Sequence, residues 1–299
     1  MRLILWLKYL FVIFIFSSCA SSPKHFLLTS KETIEGLGLD EFNKHLKQGL
    51  SAWKKRHHKS ELEDFIKHFE LCARAPQELS SQILRRYKVY EMLSRGYYLL
   101  AYYHESDLGL RKKHWQTGAY WAEKGLYTNE KFKNGVAKYG EYASALKYLT
   151  SKELGSIYWY LANIGMWAKN SGVGTSIKYI RLIKAMIRKI EKHNPKFFYG
   201  GTARFWGGYY AVIPPFAGGD LVKSRRYFEK SMKIAPEYLG TKVLFANIYA
   251  LKMRDRELFI NSLQKVINAD VSKAKAIIPE NILEKKSAQA LLEQVDELF

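Results

Sequence analysis

The chain has 299 residues, with 48 Lys and Arg against 28 Asp and Glu and a formal net charge of +20. It is 47% hydrophobic and 15% aromatic, and it holds only 7 prolines. A large core is therefore affordable in one large domain or two small ones. The scarcity of proline and the absence of long Val/Ile/Thr alternation favour helices over a sandwich or barrel. The basic balance points to nucleic acid, an anionic membrane surface or acidic ligands, and the compartment decides among them.

The N-terminus speaks to the compartment. Arg2 and Lys8 precede an apolar run from Tyr9 to Phe16, then Ser17, Ser18 and Cys19. This resembles a bacterial lipoprotein signal, residues 1–18, with Cys19 as the lipidation site. The run is short for a transmembrane helix. An ordinary signal peptide with a chance cysteine is the bland alternative, and Phe16 departs from the usual Leu. With Cys19 acylated, Cys72 has no partner for a disulfide and sits on an apolar helical stretch as a core residue. An envelope location argues against nucleic acid and leaves a solvated basic face, biased toward anionic headgroups. Ala20 after the cysteine favours the outer membrane, facing the periplasm. "KKRHHK" at Lys54 to Lys59 reads as a polar turn or a second membrane signal.

Residues 19–38 read as a lipidated cysteine and flexible tether, and 39–299 as a single all-α domain. Asp40 is expected to cap a first helix through Leu50. Leu62, Phe65, Ile66, Phe69 and Cys72 repeat at helical spacing. An aromatic helix follows over about Ser80 to Tyr103, and another over Leu110 to Leu126. Ser151 opens "KELGSIYWYLANIGMWAK", bounded by Ser171-Gly172. Ile177, Ile180, Ile183, Ile187 and Ile190 are expected to line one side of the next helix, with Lys178, Arg181, Arg188 and Lys192 on its other faces. That helix ends before Asn194-Pro195. Asp220 and Asp255 are expected N-caps, and Pro279 an N1 residue. In the last helix Ile282, Ala288, Leu291, Val295 and Leu298 form the expected apolar stripe.

"WAEKGLYTNEKF" and "YFEKSMKIAPEY" share a pattern from Glu123 to Glu229, a shift of 106 residues, or about three units of 34. Ser224, Phe228, Ser231 and Pro236 match the second helix of a tetratricopeptide hairpin. Trp206, Tyr209, Tyr210 and Ile213 fit the first helix two residues early, the extra length being "PPFAGGD". The expected architecture is antiparallel helical hairpins, degenerate tetratricopeptide-like repeats forming a curved superhelix. The competing reading is any helical hairpin protein.

No catalytic constellation stands out. His57-His58 lacks metal spacing, no His-Glu-x-x-His or Gly-x-Ser-x-Gly occurs, and no catalytic residue or cofactor is assigned. "FYGGTARFWGGYY" is rich in glycine but lacks the Gly-Lys-Ser/Thr of a phosphate loop. Its glycines read as packing and turn residues instead.

Tyr158-Trp159, Asn163-x-Gly165-x-Trp167, "GGTARFWGGYYAVIPPFAGGD", "FEKSMKIAPEY", "IPEN" and "KKSAQALLEQ" together resemble the TatT family. These are the lipoprotein T components of tripartite ATP-independent periplasmic (TRAP) transporters. The resemblance runs from about Phe69 to Leu292. It implies an all-helical, tetratricopeptide-like accessory protein, lipid-anchored, that partners the transporter's substrate-binding protein. On that reading Trp159, Asn163, Trp167, Arg204, Trp206, Tyr209 and Tyr210 are candidate linings of a cavity for a small organic ligand. Arg204 would meet a carboxylate through its planar fork, the bland alternative being an aromatic core and a surface arginine. A tetratricopeptide-like scaffold for envelope assembly is the second functional reading, an enzyme a distant third, and a homo-oligomer stays open.

Overall fold

A computed structural model describes residues 38–76 and 85–299. The fold is all-α, with no strand among the described residues. Cys19, the signal and almost all of the tether lie outside them.

Helices α1 (Leu39–Trp53) and α2 (Lys59–Arg74) form an antiparallel pair closed by Phe42, Leu46, Leu62, Phe65 and Phe69. Asp40 lies in the first turn of α1 rather than at its cap, where a carboxylate still meets the positive end of the helix. Cys72 is fully buried, and burial pushes its thiol up to about 12. Helix α3 (Arg86–Leu99) runs on through a π turn, Leu100–His104. Asp107 caps α4 (Leu108–Tyr127) through the Leu110 amide, and Asn129 caps α5 (Glu130–Tyr139) through that of Phe132.

A Thr150/Glu153 capping box opens the turn before α6 (Leu154–Lys169). In α7 (Val173–His193) the buried stripe is Tyr179, Leu182, Ile183, Met186, Ile187 and Ile190. Ile177, expected on that stripe, is 67% exposed. Tyr179 and Leu182 take the covered face there.

Helix α8 (Phe197–Val212) and α9 (Leu221–Ile234) form the most extensive helix pair. Ser224 Oγ donates to the Gly207 carbonyl at 2.7 Å, and the Phe228 ring lies against Gly207 so closely that any side chain would collide with it. The close approach of the two helices expected from these small residues is therefore present. Helix α10 spans 240–253, with a π turn at Phe245–Ala250. Asp255 caps α11 (Arg256–Ile267), and Pro279 sits in the first turn of α12 (Ile278–Glu293).

The densest contacts fall on two sides, α1 to α7 and α8 to α12, with few between α7 and α8. Side chains close the gap. The first half of α12 buries Glu280, Asn281 and Glu284 beside Leu283. An apolar stripe alone does not describe this helix.

Candidate functional site

Helix α7 stops at Asn194-Pro195, and α8 does not start cleanly. Phe198, Tyr199 and Gly200 have φ of 45°, 56° and 70°. Glycine adopts this left-handed region freely, but a bulky residue there costs on the order of 1–2 kcal/mol. Something must hold the turn, and Arg204 does. Its guanidinium donates to the carbonyls of Tyr199 (3.1 Å) and Phe198 (3.3 Å). It donates as well to the Tyr158 hydroxyl (2.8 Å) and to Thr241 Oγ1 (3.2 Å). Ser231 Oγ ties down the Gly200 carbonyl at 3.0 Å.

Arg204 is only 7% exposed, and both terminal nitrogens carry two contacts each. The guanidinium lies 4.3 Å from the Tyr238 ring centroid, a cation–π contact. Burial opposes its charge, but the fields of Tyr158 and Tyr238 outweigh it and hold the pKa above the ordinary arginine value.

Beside this turn lies an ionic junction. Arg56 grips Glu280 with Nε (2.7 Å) and a terminal nitrogen (2.6 Å), and Arg95 adds a contact at 2.6 Å. Arg56 also donates to the carbonyls of Trp53 and Ala276, both at 2.8 Å. Within "KKRHHK", then, Arg56 is an interior latch 224 residues from its partner, not a surface cation. Arg95 stacks over Trp53, Trp159 and Phe198, at 5.1, 5.4 and 5.1 Å from their centroids. Burial alone would raise the Glu280 pKa; Arg95 and Arg56 reverse this and hold it below the usual range.

One turn on, Glu284 accepts a 2.6 Å bond from the Tyr103 hydroxyl. Burial pushes its carboxyl up to about 7, with Glu280 adding to the rise and Tyr103 and Arg204 resisting it. Two carboxylates on one helix thus have opposite environments.

A cavity of about 800 Å³ borders the left-handed turn at Tyr199. Tyr199, Leu239, Lys242, Asp270, Lys273 and Lys275 are among its walls. Tyr199 stacks on Tyr238 at 5.3 Å, so the cavity wall is continuous with the ring that carries Arg204.

The seven residues singled out in the sequence fall into four places. Arg204 and Trp159 both meet Phe198, with ring centroids of Trp159 and Phe198 4.8 Å apart. Trp206, Tyr209 and Tyr210 form an aromatic ladder with Tyr227 toward the other end of α8. Asn163 is wholly buried against Gly118, its Nδ2 within 3.1 Å of the Ser94 carbonyl and hydroxyl. Trp167 meets the edge of Tyr179 at 5.7 Å on the α6–α7 side.

Sequence reading missed Arg56, Arg95, Glu280, Glu284 and the strained turn. The available signal was two carboxylates one turn apart beside Ile278, Ile282 and Leu283 in "IPENILEKK", where an apolar stripe alone would not place them.

Among the described residues, no group of three or more His, Cys, Asp or Glu is placed to hold a metal, and no helix is long and apolar enough to cross a membrane. The model of the family described as TRAP transporter T-component matches residues 112–299. That match starts within α4, so α12 lies inside it, whereas Arg56 and Arg95 precede it. No curated protein matches the chain.

Proposed function

Because the chain belongs to the TRAP transporter T-component family, we propose that this accessory protein of the bacterial envelope docks the transporter's substrate-binding protein and receives a small organic ligand from it. The observation that carries this reading is the family match over residues 112–299. The cavity beside Tyr199 supports it, since about 800 Å³ lies within the range of small-molecule sites. In this reading the ligand rests against Tyr199 and the lysines of the rim. Arg204 and Trp159 lie behind that wall and fix its shape, and Arg204 gives it a positive potential. Trp206, Tyr209 and Tyr210 pack the far end of α8, and Trp167 and Asn163 pack α6, away from that wall. Cys19 holds the lipid, and the domain faces the periplasm from the outer membrane.

Crosslinking in native membranes followed by affinity capture tests the partner. A TRAP-type substrate-binding protein is expected among the crosslinked species. Its absence under every growth condition that expresses the transporter would sink the docking claim, and recovery of envelope-assembly proteins instead would favour a scaffold. The ligand claim is checked separately, by mass spectrometry of small molecules released on denaturing the captured protein. Tyr199→Ala and Lys242→Ala should reduce what is released.

A further inference from the structure

At the far end of α8 the chain leaves large apolar side chains in solvent. Phe216 is 92% exposed and Val222 72%, with Val212 beside them at 53%. The Asp220 amide donates to the Tyr210 carbonyl at 2.9 Å, which folds the Pro214-Pro215 loop back and makes Phe216 its tip. Val173 and Ile177, 77% and 67% exposed, open α7. Helices α7 and α8 are joined by three residues and tied where Lys184 Nζ meets the Tyr209 hydroxyl at 3.4 Å. Ile177 lies about two turns before Lys184 and Val212 about one turn beyond Tyr209, and the loop of Phe216 and the start of α9 at Val222 follow directly from that end of α8. The five apolar residues therefore share one end of this helix pair.

The charge around that end is one-sided. Between Lys169 and Arg181 the chain has no carboxylate, and between Val212 and Arg226 it has Asp220 alone. Asp220 is occupied, capping α9 through the Lys223 amide and pairing with its ammonium at 3.1 Å. Lys169, Arg181, Lys223 and Arg226 are exposed.

We propose that the tip formed by Val173, Ile177, Val212, Phe216 and Val222 inserts into the interfacial region of an anionic phospholipid bilayer, with the surrounding cations on its headgroups. Shape and charge select this occupant. A stable protein interface buries about 800 Å² on each partner, more than these five side chains supply. An interfacial membrane site needs a few apolar groups in a ring of Lys and Arg. The contact needs no acyl chain at Cys19 and is independent of which protein the molecule docks.

The test uses the full chain with Cys19→Ser, to exclude lipidation, and Phe216→Cys carrying an environment-sensitive nitrobenzoxadiazole label. Cys72 is buried and does not compete for the label. Vesicles of phosphatidylcholine alone are compared with equal parts phosphatidylcholine and phosphatidylglycerol. A control label is placed at the exposed Ser60 by Ser60→Cys. The label at 216 should shift to the blue on anionic vesicles only, and the control should not. Adding Lys169→Gln, Arg181→Gln and Arg226→Gln together should weaken binding about a hundredfold at low salt, with unchanged circular dichroism. An unmoved label at 216, or an equal shift on neutral vesicles, overturns the proposal. So does a shift that needs no vesicles and grows with protein concentration, which would mean that a second copy covers the tip.

Discussion

The two ends of α8 treat cations and aromatic rings in opposite ways. At its start Arg204 is drawn inside, both terminal nitrogens are occupied, and Phe198 is wedged among Trp159, Tyr158 and Arg95. Beyond its end Phe216 stands in solvent, with Lys223 and Arg226 uncovered nearby. Burying a cation is unfavourable unless its donors are met, so the first end is rigid wherever it survives. An exposed phenyl ring gains nothing from folding, so the second end is shaped by what it touches. Perturbing the first end should show in stability and perturbing the second in binding.

The largest effect is expected at the ionic junction. Glu280→Ala leaves Arg56 and Arg95 facing each other with no carboxylate between them. Breaking a buried pair from one side costs about 3–5 kcal/mol. Urea unfolding should show a loss of that size. A loss under 1 kcal/mol would mean that the two arginines find water, and that the junction is not the seam holding α12 to the α1–α2 turn and α3.

That junction also marks the limit of what could be read from sequence. Helices follow from local signals, and Asp220 and Asp255 cap α9 and α11 as their sequence position implies. The Gly207–Phe228 contact follows the hairpin pattern. The partnership of Arg56 with Glu280 spans 224 residues and leaves no periodic trace. A buried Glu on a helix with a polar face looks like any solvated Glu. Arg204 was visible as a candidate because of its glycine-rich setting. Its job as a clamp was not, because a left-handed Phe198-Tyr199 pair contradicts the local preference of both residues.

Glu284 offers a smaller, pH-dependent handle. Its folded pKa is about 7, above the ordinary value of 4.5. Between these values the native state binds the extra proton, so stability is greatest below pH 4.5 for this group and is lost as pH rises through 7. The full swing is about 3 kcal/mol. Glu284→Gln should flatten that part of the stability profile in urea titrations between the two pH values. An unchanged slope would mean that Tyr103 and Arg204 keep the carboxylate ionised.

Arg204→Ala comes next. It strips the carbonyls of Phe198 and Tyr199 and the Tyr158 hydroxyl of their donor while also removing a buried charge. Unsatisfied buried groups cost about 1–3 kcal/mol each, and loss of the charge returns part of that, so a net loss of about 2 kcal/mol is expected in thermal unfolding. Arg204→Lys should not restore it, because an ammonium cannot span four acceptors in a plane. If Lys does restore stability, the planar fork is not what holds the turn.

The smallest effect is expected at the tip, and it is the one that separates the two ends. Phe216 has almost no neighbours to lose, so Phe216→Ser should change the unfolding free energy by less than about 0.5 kcal/mol, as an exposed site does. The loop is held by the Asp220 amide and the turn carbonyls rather than by the ring. A loss above 1 kcal/mol would mean that the phenyl packs onto the fold in solution, which would remove the apolar tip altogether. An unchanged stability together with lost vesicle binding would assign the ring to the surface it meets and not to the molecule that carries it.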